Sequence, residues 1–295
     1  MNLLSDLLDR QTVNGAFSSE VKMRGNLIIE DENVFITVLV VFELFRLKKK
    51  TEVTNAINRA LDFIECCEEK PNSGIFKFYP EKLPSAKLNI SLHGDLDDSA
   101  LSILALVYFG RRDKEWANSI LVDVFEKNRL LYTNAHPAWV RPGTFKTWIS
   151  DSHDNPIDCC VNLNVLALYA YLGHTKADVY SKALESVMLG FRLTNLDPLH
   201  MRHLAPFYAH PSEVYEAIRR AANFGVVEMT NELNVFQYFE SHRTDNAIRP
   251  VCCNGWGQPL WFSKALQIAR TIELANSPTI LLQKNIHFKE SNHDY

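Results

Sequence analysis

The sequence predicts an all-α domain in which helical hairpins repeat and form an α/α toroid, with an inner and an outer ring of helices. Segments of similar organisation recur along the chain, and in each an almost wholly apolar helix precedes an amphipathic one. Strand signals are weak, because no alternating run is followed by a two-residue turn and a second alternating run. The repeat therefore predicts one domain over residues 1–295.

Three segments carry this repeat. Each has a Gly-x-Phe turn, an acidic entry, an apolar helix and an amphipathic helix. The turns begin at Gly15, Gly74 and Gly143. The apolar helices are predicted over Val34–Leu47, Ala100–Phe109 and Cys159–Leu172, and the amphipathic ones over Thr51–Glu69, Asp113–Asn128 and Lys176–Arg192. Helices near Pro211–Ala222 and Gly257–Leu274 continue the pattern. A helix that is apolar on all sides must be buried, which assigns the apolar helices to the inner ring.

Composition excludes several classes of function. The formal charge is -4, from 31 Lys and Arg against 35 Asp and Glu, and no basic stripe with interleaved aromatics indicates a nucleic-acid partner. The longest apolar run, Val34–Phe42, is half a membrane span, so no transmembrane segment is predicted. Asp6, Asp9 and Arg10 interrupt the first leucines, unlike a secretion signal. We therefore expect a cytoplasmic protein whose six cysteines are reduced thiols.

Asp95-Leu96-Asp97-Asp98-Ser99-Ala100 stands immediately before an apolar helix. This segment resembles the Asp-x-Asp-Asp-Thr-Ala motif of class II terpene cyclases of the squalene-hopene cyclase kind, which begin a carbocation cyclisation by protonating an alkene or epoxide. The resemblance implies that Asp97 is the proton donor and that Asp95 and Asp98 tune it, with Ser99 in place of the usual Thr. Together with the repeat, it also implies the α/α toroid of terpenoid cyclases and protein prenyltransferases.

The chemistry of the acidic cluster is consistent with that role. Carboxylates crowded within one helical turn resist ionising together, which raises one pKa, while helix N-terminal amides favour the conjugate base. Such an acid keeps its proton and is ready to transfer it. The alternative is that acidic residues and Ser simply cap the helix start. Three Asp in four positions exceed what a cap requires.

The remaining candidate site residues would bind a small, hydrophobic, isoprenoid-like substrate. Aromatic ring faces stabilise a cation without acting as nucleophiles. The predicted substrate-binding residues are Phe35, Phe145, Trp148, Trp256, Trp261, Asp158 and Asn162. Core packing is the alternative explanation for each aromatic residue. No metal ligand and no cofactor are predicted for this reaction, and Mg²⁺ would be involved only with a diphosphate substrate.

Two other functions stay open. Asp158-Cys159-Cys160 resembles part of the zinc site of protein prenyltransferase β subunits, and the segment from Cys252 to Gly257 resembles the Cys- and Gly-containing segments of lanthionine cyclases. A zinc enzyme of either kind would use Cys160 or Cys253. Otherwise, the toroid could be a carbohydrate-active enzyme with paired carboxylates, or have no catalytic activity.

Overall fold

The computed structural model describes residues 2–47, 50–81, 92–134, 136–150, 155–233, 248–255 and 257–276. Helices dominate this part of the chain. Their bounds are Leu3–Leu8 (α1), Val34–Leu44 (α2), Thr51–Cys66 (α3), Leu96–Tyr108 (α4), Lys114–Ile120 (α5), Cys159–Leu172 (α6), Asp178–Thr194 (α7), Met201–Leu204 (α8), Pro211–Asn223 (α9), 228–233 (α10) and Lys264–Asn276 (α11). A π turn over Leu121–Phe125 and a 3-10 turn over Glu126–Asn128 follow α5. The six helices predicted within the three repeats are confirmed, with shifts of a few residues at their ends.

Five helices pack side by side in the order α11, α2, α4, α6 and α9. A bidentate ion pair between Arg270 of α11 and Glu213 of α9, with both N–O distances 2.7 Å, joins the two ends of this series. The amphipathic helices pack outside it, α3 against α2, α5 against α4 and α7 against α6. This arrangement follows the predicted order of apolar and amphipathic helices, and the closed toroid stays a prediction.

The three repeats share a hydrogen bond that places each Gly-x-Phe turn against its helix. Each glycine of these turns has a positive φ, and the phenylalanine two residues later is fully buried. The amide of that phenylalanine donates to the side chain four residues after the helix N-cap. The pairs are Phe17 with Thr37 Oγ1 at 3.2 Å, Phe76 with Ser99 Oγ at 2.9 Å and Phe145 with Asn162 Oδ1 at 3.0 Å. The N-caps themselves are Asn33, Asp95 and Asp158.

A four-stranded antiparallel sheet, which the sequence did not predict, adds a β component to the fold. Its strands are Ser19–Lys22 (β1), Ile28–Asp31 (β2), Pro250–Cys253 (β3) and Leu260–Phe262 (β4), in the spatial order β2-β1-β4-β3. The helix predicted from Gly257 is therefore wrong in its first turns, because Trp261 belongs to β4 and α11 begins at Lys264. Cys252 and Cys253 likewise lie in a strand rather than a turn.

Two further properties concern the described residues. None of the helices formed by them combines the length and the apolar composition needed to cross a membrane. All six cysteines are free thiols, and only Cys66 is exposed.

Candidate active site

A cavity of about 230 Å³ opens at the end of the helix series where α2, α4 and α6 begin. The three carboxyl groups of Asp95, Asp97 and Asp98 form one part of its wall. The other lining residues are mainly aromatic or apolar: Phe35, Phe78, Leu92, Val161, Phe207, Tyr208, Pro259 and Trp261, with Thr147, Trp148, Cys252, Cys253 and Asn254. The acidic cluster therefore adjoins a partly open cavity whose walls are mainly apolar.

The N-cap of α4 is Asp95, not Asp97. Asp95 Oδ1 accepts the backbone amide of Asp98 at 2.7 Å, as a capping side chain does. The Asp97 oxygens instead accept from two side chains of other segments. Asn164 Nδ2 donates to Oδ1 at 2.5 Å, and the Tyr208 hydroxyl donates to Oδ2 at 2.8 Å. Helix capping therefore accounts for Asp95 and leaves Asp97 to another role.

Arg220 fixes the orientation of these hydrogen bonds. Its Nε donates to Asn164 Oδ1 at 2.9 Å, and because a guanidinium can only donate, the amide NH₂ of Asn164 must face the other way. One of the two amide hydrogens then reaches Asp97, and the other reaches the Tyr208 hydroxyl oxygen at 2.9 Å. The Tyr208 hydrogen is left to point at Asp97. Asn164 and Tyr208 thus each direct one hydrogen toward the Asp97 carboxyl group.

The three carboxyl groups experience different electrostatic environments. Burial is the main cause that raises the pKa of Asp97, while the hydrogen bonds from Asn164 and Tyr208 and the charge of Arg220 lower it. Burial and the charge of Asp97 raise the pKa of Asp95 to about 7. Burial, followed by the charges of Asp95 and Asp97, raises the pKa of Asp98 well above its ordinary value. Of the three, only Asp97 has a nearby cation that favours its carboxylate form.

Asp98 and Asp95 act as a pair. A hydrogen bond between their side chains raises the pKa of Asp98 and lowers that of Asp95, which is the pattern of a protonated Asp98 donating to Asp95. The second oxygen of Asp98, Oδ2, is buried and has no hydrogen-bond partner within the described residues.

Aromatic rings line the cavity in three edge-to-face pairs. Ring centroids lie 5.7 Å apart for Phe35 and Tyr208, 5.5 Å for Trp148 and Phe207, and 5.4 Å for Phe78 and Trp261. Contact within each pair restricts the rotation of both rings. A cation formed in this cavity would be surrounded by ring faces that stabilise it.

The structure brings together six of the predicted site residues. Asp95, Asp97, Asp98, Phe35, Trp148 and Trp261 line the cavity. Phe145, Asp158 and Asn162 do not, and their contacts explain why. Asp158 accepts from the backbone amides of Cys160 and Phe207, Asn162 binds the backbone of Phe145, and the Phe145 ring is fully buried. Trp256 lies outside the described residues.

Asn164, Tyr208 and Arg220 form the hydrogen-bond network around Asp97, and sequence reasoning missed all three. Asn164 gave one signal, since it is a carboxamide in the middle of an almost wholly apolar helix, and a buried amide requires partners. Tyr208 and Arg220 gave none, because their contacts depend on segments 111 and 56 residues away along the chain.

The cysteines proposed for zinc are not arranged around a common point. Cys159 and Cys160 are fully buried in α6, and burial raises the pKa of both thiols well above their ordinary value. Cys253 lines the cavity, and its thiol donates to the carbonyl of Pro206 at 3.3 Å. Among the described residues, no three His, Cys, Asp or Glu side chains are grouped as metal ligands.

Comparison with proteins of known structure finds similarity to type II terpene cyclase MstE from Scytonema. Its apo structure matches with 12% identity and a TM-score of 0.46, covering 92% of this chain and 94% of that one. A variant with geranylgeranyl dihydroxybenzoate, its substrate, matches with 14% identity, a TM-score of 0.43 and 92% and 93% coverage. A variant with merosterolic acid A, its product, matches with 14% identity and a TM-score of 0.42, covering 75% of this chain and 62% of that one. No protein-family model and no curated protein sequence matches this chain.

Proposed function

We propose that this protein is a class II-like terpene cyclase or isomerase, in which Asp97 protonates an isoprenoid alkene and starts a carbocation cyclisation. The observation that carries the proposal is the environment of Asp97. Asp97 lines a cavity whose other walls are mainly aromatic or apolar, and its carboxyl group accepts hydrogen bonds from Asn164 and Tyr208. Burial supports retention of the proton, and the two donors with Arg220 stabilise the carboxylate left after proton transfer.

The reaction begins with transfer of the Asp97 proton to one alkene carbon, which leaves a cation on the other. A second double bond of the substrate attacks this cation, so one carbon–carbon bond forms and the charge moves along the chain. Loss of a proton from a carbon beside the final cation to water ends the sequence. Asp97 then takes a proton from solvent, and the net change in the substrate is an isomerisation.

The surrounding side chains support this chemistry. Phe35, Phe78 and Trp261 present ring faces to a cation without offering a nucleophile. The Asp95–Asp98 pair adjoins Asp97, and burial raises the pKa of all three carboxyl groups. The cavity, at about 230 Å³, is smaller than the roughly 300–1,000 Å³ of typical small-molecule sites. We therefore propose an isoprenoid shorter than squalene as the substrate.

The decisive experiment compares purified wild-type protein with Asp97→Asn. Both are incubated with farnesyl, geranylgeranyl and squalene-type substrates, and with the geranylgeranyl dihydroxybenzoate named as the substrate of the similar cyclase. Products are separated by mass-resolved chromatography. We expect a cyclised isomer from wild type and a loss of at least about 1,000-fold in Asp97→Asn, which keeps the shape of the side chain and removes its acid.

Asp113→Asn is the matched control. Asp113 is the N-cap of α5, its side chain is exposed, and Asn caps a helix as well as Asp does. This variant should retain full activity. Equal product formation by wild type and Asp97→Asn would disprove the role of Asp97. Absence of any product together with stoichiometric zinc in the purified protein would favour the zinc enzyme instead.

A further inference from the structure

A second and larger cavity lies at the opposite end of the same helices. It has a volume of about 590 Å³ and is formed where α2, α4, α6 and α9 end. Five aromatic side chains line it: Phe42, Phe45, Tyr108, Tyr171 and Phe224. Phe224 is central, with ring centroids 5.4 Å from Phe42, 5.8 Å from Tyr108 and 5.9 Å from Tyr171. We call this space the C-terminal cavity.

Arg220 lines the C-terminal cavity and lacks an acidic partner there. The residue is 7% exposed, and its Nε binds Asn164. A guanidinium has four further N–H groups on its two terminal nitrogens, and within the described part of the chain these make no hydrogen bond or ion pair. Its neighbour Arg219 lies 2.6 Å from Glu43 and from Glu216, and Arg270 binds Glu213. A buried cation without a counter-ion is costly, and an incoming anion would remove that cost.

The charges around the C-terminal cavity favour an anion. Its described lining contains two cationic residues, Arg219 and Arg220, and a single acidic residue, Glu43. The Glu43 carboxylate binds Arg219. A third cation stands beside the cavity, since Lys114 Nζ lies 5.0 Å from the centre of the Tyr171 ring. The space thus combines an excess of positive charge with aromatic walls.

We propose that the C-terminal cavity binds a small carboxylate with an aromatic or other apolar body, and that the carboxylate pairs with Arg220. A planar carboxylate matches the two terminal nitrogens of a guanidinium and forms two parallel hydrogen bonds. The apolar body would pack among Phe42, Tyr171 and Phe224. This binding site is distinct from the cavity that contains Asp97.

Occupation of this site would weaken the acid at the other end of the helices, a step that rests on the proposed function. Arg220 donates to Asn164, which donates to Asp97, so one side chain separates the two sites. A bound anion would offset the positive charge that stabilises the Asp97 carboxylate. The pKa of Asp97 would rise and proton transfer to the substrate would slow. The ligand would act as an inhibitor without entering the reaction cavity.

Binding is tested first, because it does not depend on turnover. The probe is 2-naphthoate, and 2-naphthylmethanol, which has the same ring system without the charge, is the matched control ligand. Titration calorimetry and a crystal structure with the probe measure affinity and location. We expect a Kd of about 1 mM or tighter for 2-naphthoate and at least about tenfold weaker binding of the alcohol.

Two variants separate the contributions of charge and ring. Arg220→Gln should weaken binding of 2-naphthoate at least about tenfold. Phe224→Leu, which leaves Arg220 in place, should weaken it roughly fivefold through lost ring contact. Thermal unfolding verifies that each variant is folded. If Arg220→Gln does not fold, Phe224→Leu still tests the binding site. Trp148→Phe, in the other cavity, should bind the probe as wild type does.

Several results would overturn the binding site: no saturable binding up to about 10 mM, equal affinity for the alcohol, affinity unchanged in both folded variants, or probe located only beside Asp97. Turnover is then measured with bound probe. Slower turnover at saturating probe, in wild type and in Phe224→Leu, supports an effect of the bound probe on Asp97. Unchanged turnover overturns that effect but does not contradict binding of the probe in the C-terminal cavity. A wild-type protein without any turnover contradicts the proposed function and does not alter the binding result.

Discussion

Tyr208 is one of two residues that donate a hydrogen bond to Asp97, and its hydroxyl is fixed between that carboxyl group and Asn164. Tyr208→Phe removes a donor that stabilises the carboxylate, so Asp97 becomes a weaker acid. A hydrogen bond to a charged group is worth about 1.5–3 kcal/mol. We therefore expect turnover to fall roughly 10- to 100-fold, measured as kcat with the substrate identified for wild type.

Tyr169→Phe is the matched control for this change. Tyr169 is also buried, and its hydroxyl has no hydrogen-bond partner within the described residues. Loss of this hydroxyl should leave kcat unchanged. Equal kcat values for Tyr208→Phe and wild type would show that the Tyr208 hydroxyl does not tune the acid.

Asp95 provides a test through pH. Proton transfer requires a protonated Asp97, so turnover should persist at low pH and be lost as pH rises through the raised pKa of Asp97. The charge of Asp97 helps to raise the pKa of Asp95 to about 7, so Asp97 ionises first and Asp95 is still neutral when it does. Asp95→Asn keeps a good N-cap and replaces a neutral acid with a neutral amide, so the alkaline loss of activity should stay at the same pH.

Profiles of kcat against pH for wild type and Asp95→Asn test this expectation. Tyr208→Phe should move the alkaline limb to higher pH, because it removes a group that lowers the pKa of Asp97. If the alkaline limbs of the kcat profiles coincide in all three proteins, the loss of activity reports the ionisation of a group other than Asp97.

At the scale of a single element, Ser99 connects α4 to the turn that precedes it. Its hydroxyl accepts the amide of Phe76, and both groups are buried. Ser99→Ala leaves this amide without a partner, which costs about 1–3 kcal/mol. Ser102 lies on the same helix, is equally buried and has a hydroxyl without a partner in the described residues. Urea unfolding should therefore show a clear loss of stability for Ser99→Ala and almost none for Ser102→Ala. Similar losses for both variants would contradict the role of the shared hydrogen bond.

The repeated elements could be predicted from the sequence because their signals are local. Turn glycines, acidic or amide N-caps and an apolar run lie within a few tens of residues in each repeat, and α6 was predicted with both ends correct. Strand β1 gave no such signal. It has four residues, its neighbour β2 is equally short, and its other partner β4 is about 240 residues further along the chain. Pairing over such a distance leaves no pattern in either segment alone.

The candidate site was predictable to a similar extent. The motif from Asp95 to Asp98 is contiguous, so its position at a helix start was evident. The side chains that orient Asp97 come from α6, α9 and the loop before α9, and only folding brings them together. Asp158 and Asn162 were assigned to the substrate because their positions repeat those of the motif, but their polar atoms bind backbone groups. A repeat thus predicts where caps occur and does not distinguish a cap from an acid.

At the scale of the whole molecule, the series of helices is joined end to end by charged side chains. Arg270 of α11 contacts Glu213 of α9, and the two side chains are 12% and 3% exposed. Arg219 of α9 connects in turn to Glu43 of α2. The Arg270–Glu213 pair lies where the first helix of the series, α11, meets the last, α9, and the Arg219–Glu43 pair joins α9 to α2.

Arg270→Met tests how much this junction contributes to stability. It leaves the Glu213 carboxylate buried without its bidentate partner, and loss of one member of a buried pair costs about 3–5 kcal/mol. Lys182→Met, in the exposed i,i+4 pair with Asp178, is the matched control and should cost below about 1 kcal/mol. Denaturant unfolding measures both. The double variant Arg270→Met with Glu213→Leu should recover most of the loss, since the Glu213 carboxylate is removed together with its partner. If Arg270→Met is no more destabilising than Lys182→Met, hydrophobic packing rather than this ion pair holds α9 and α11 together.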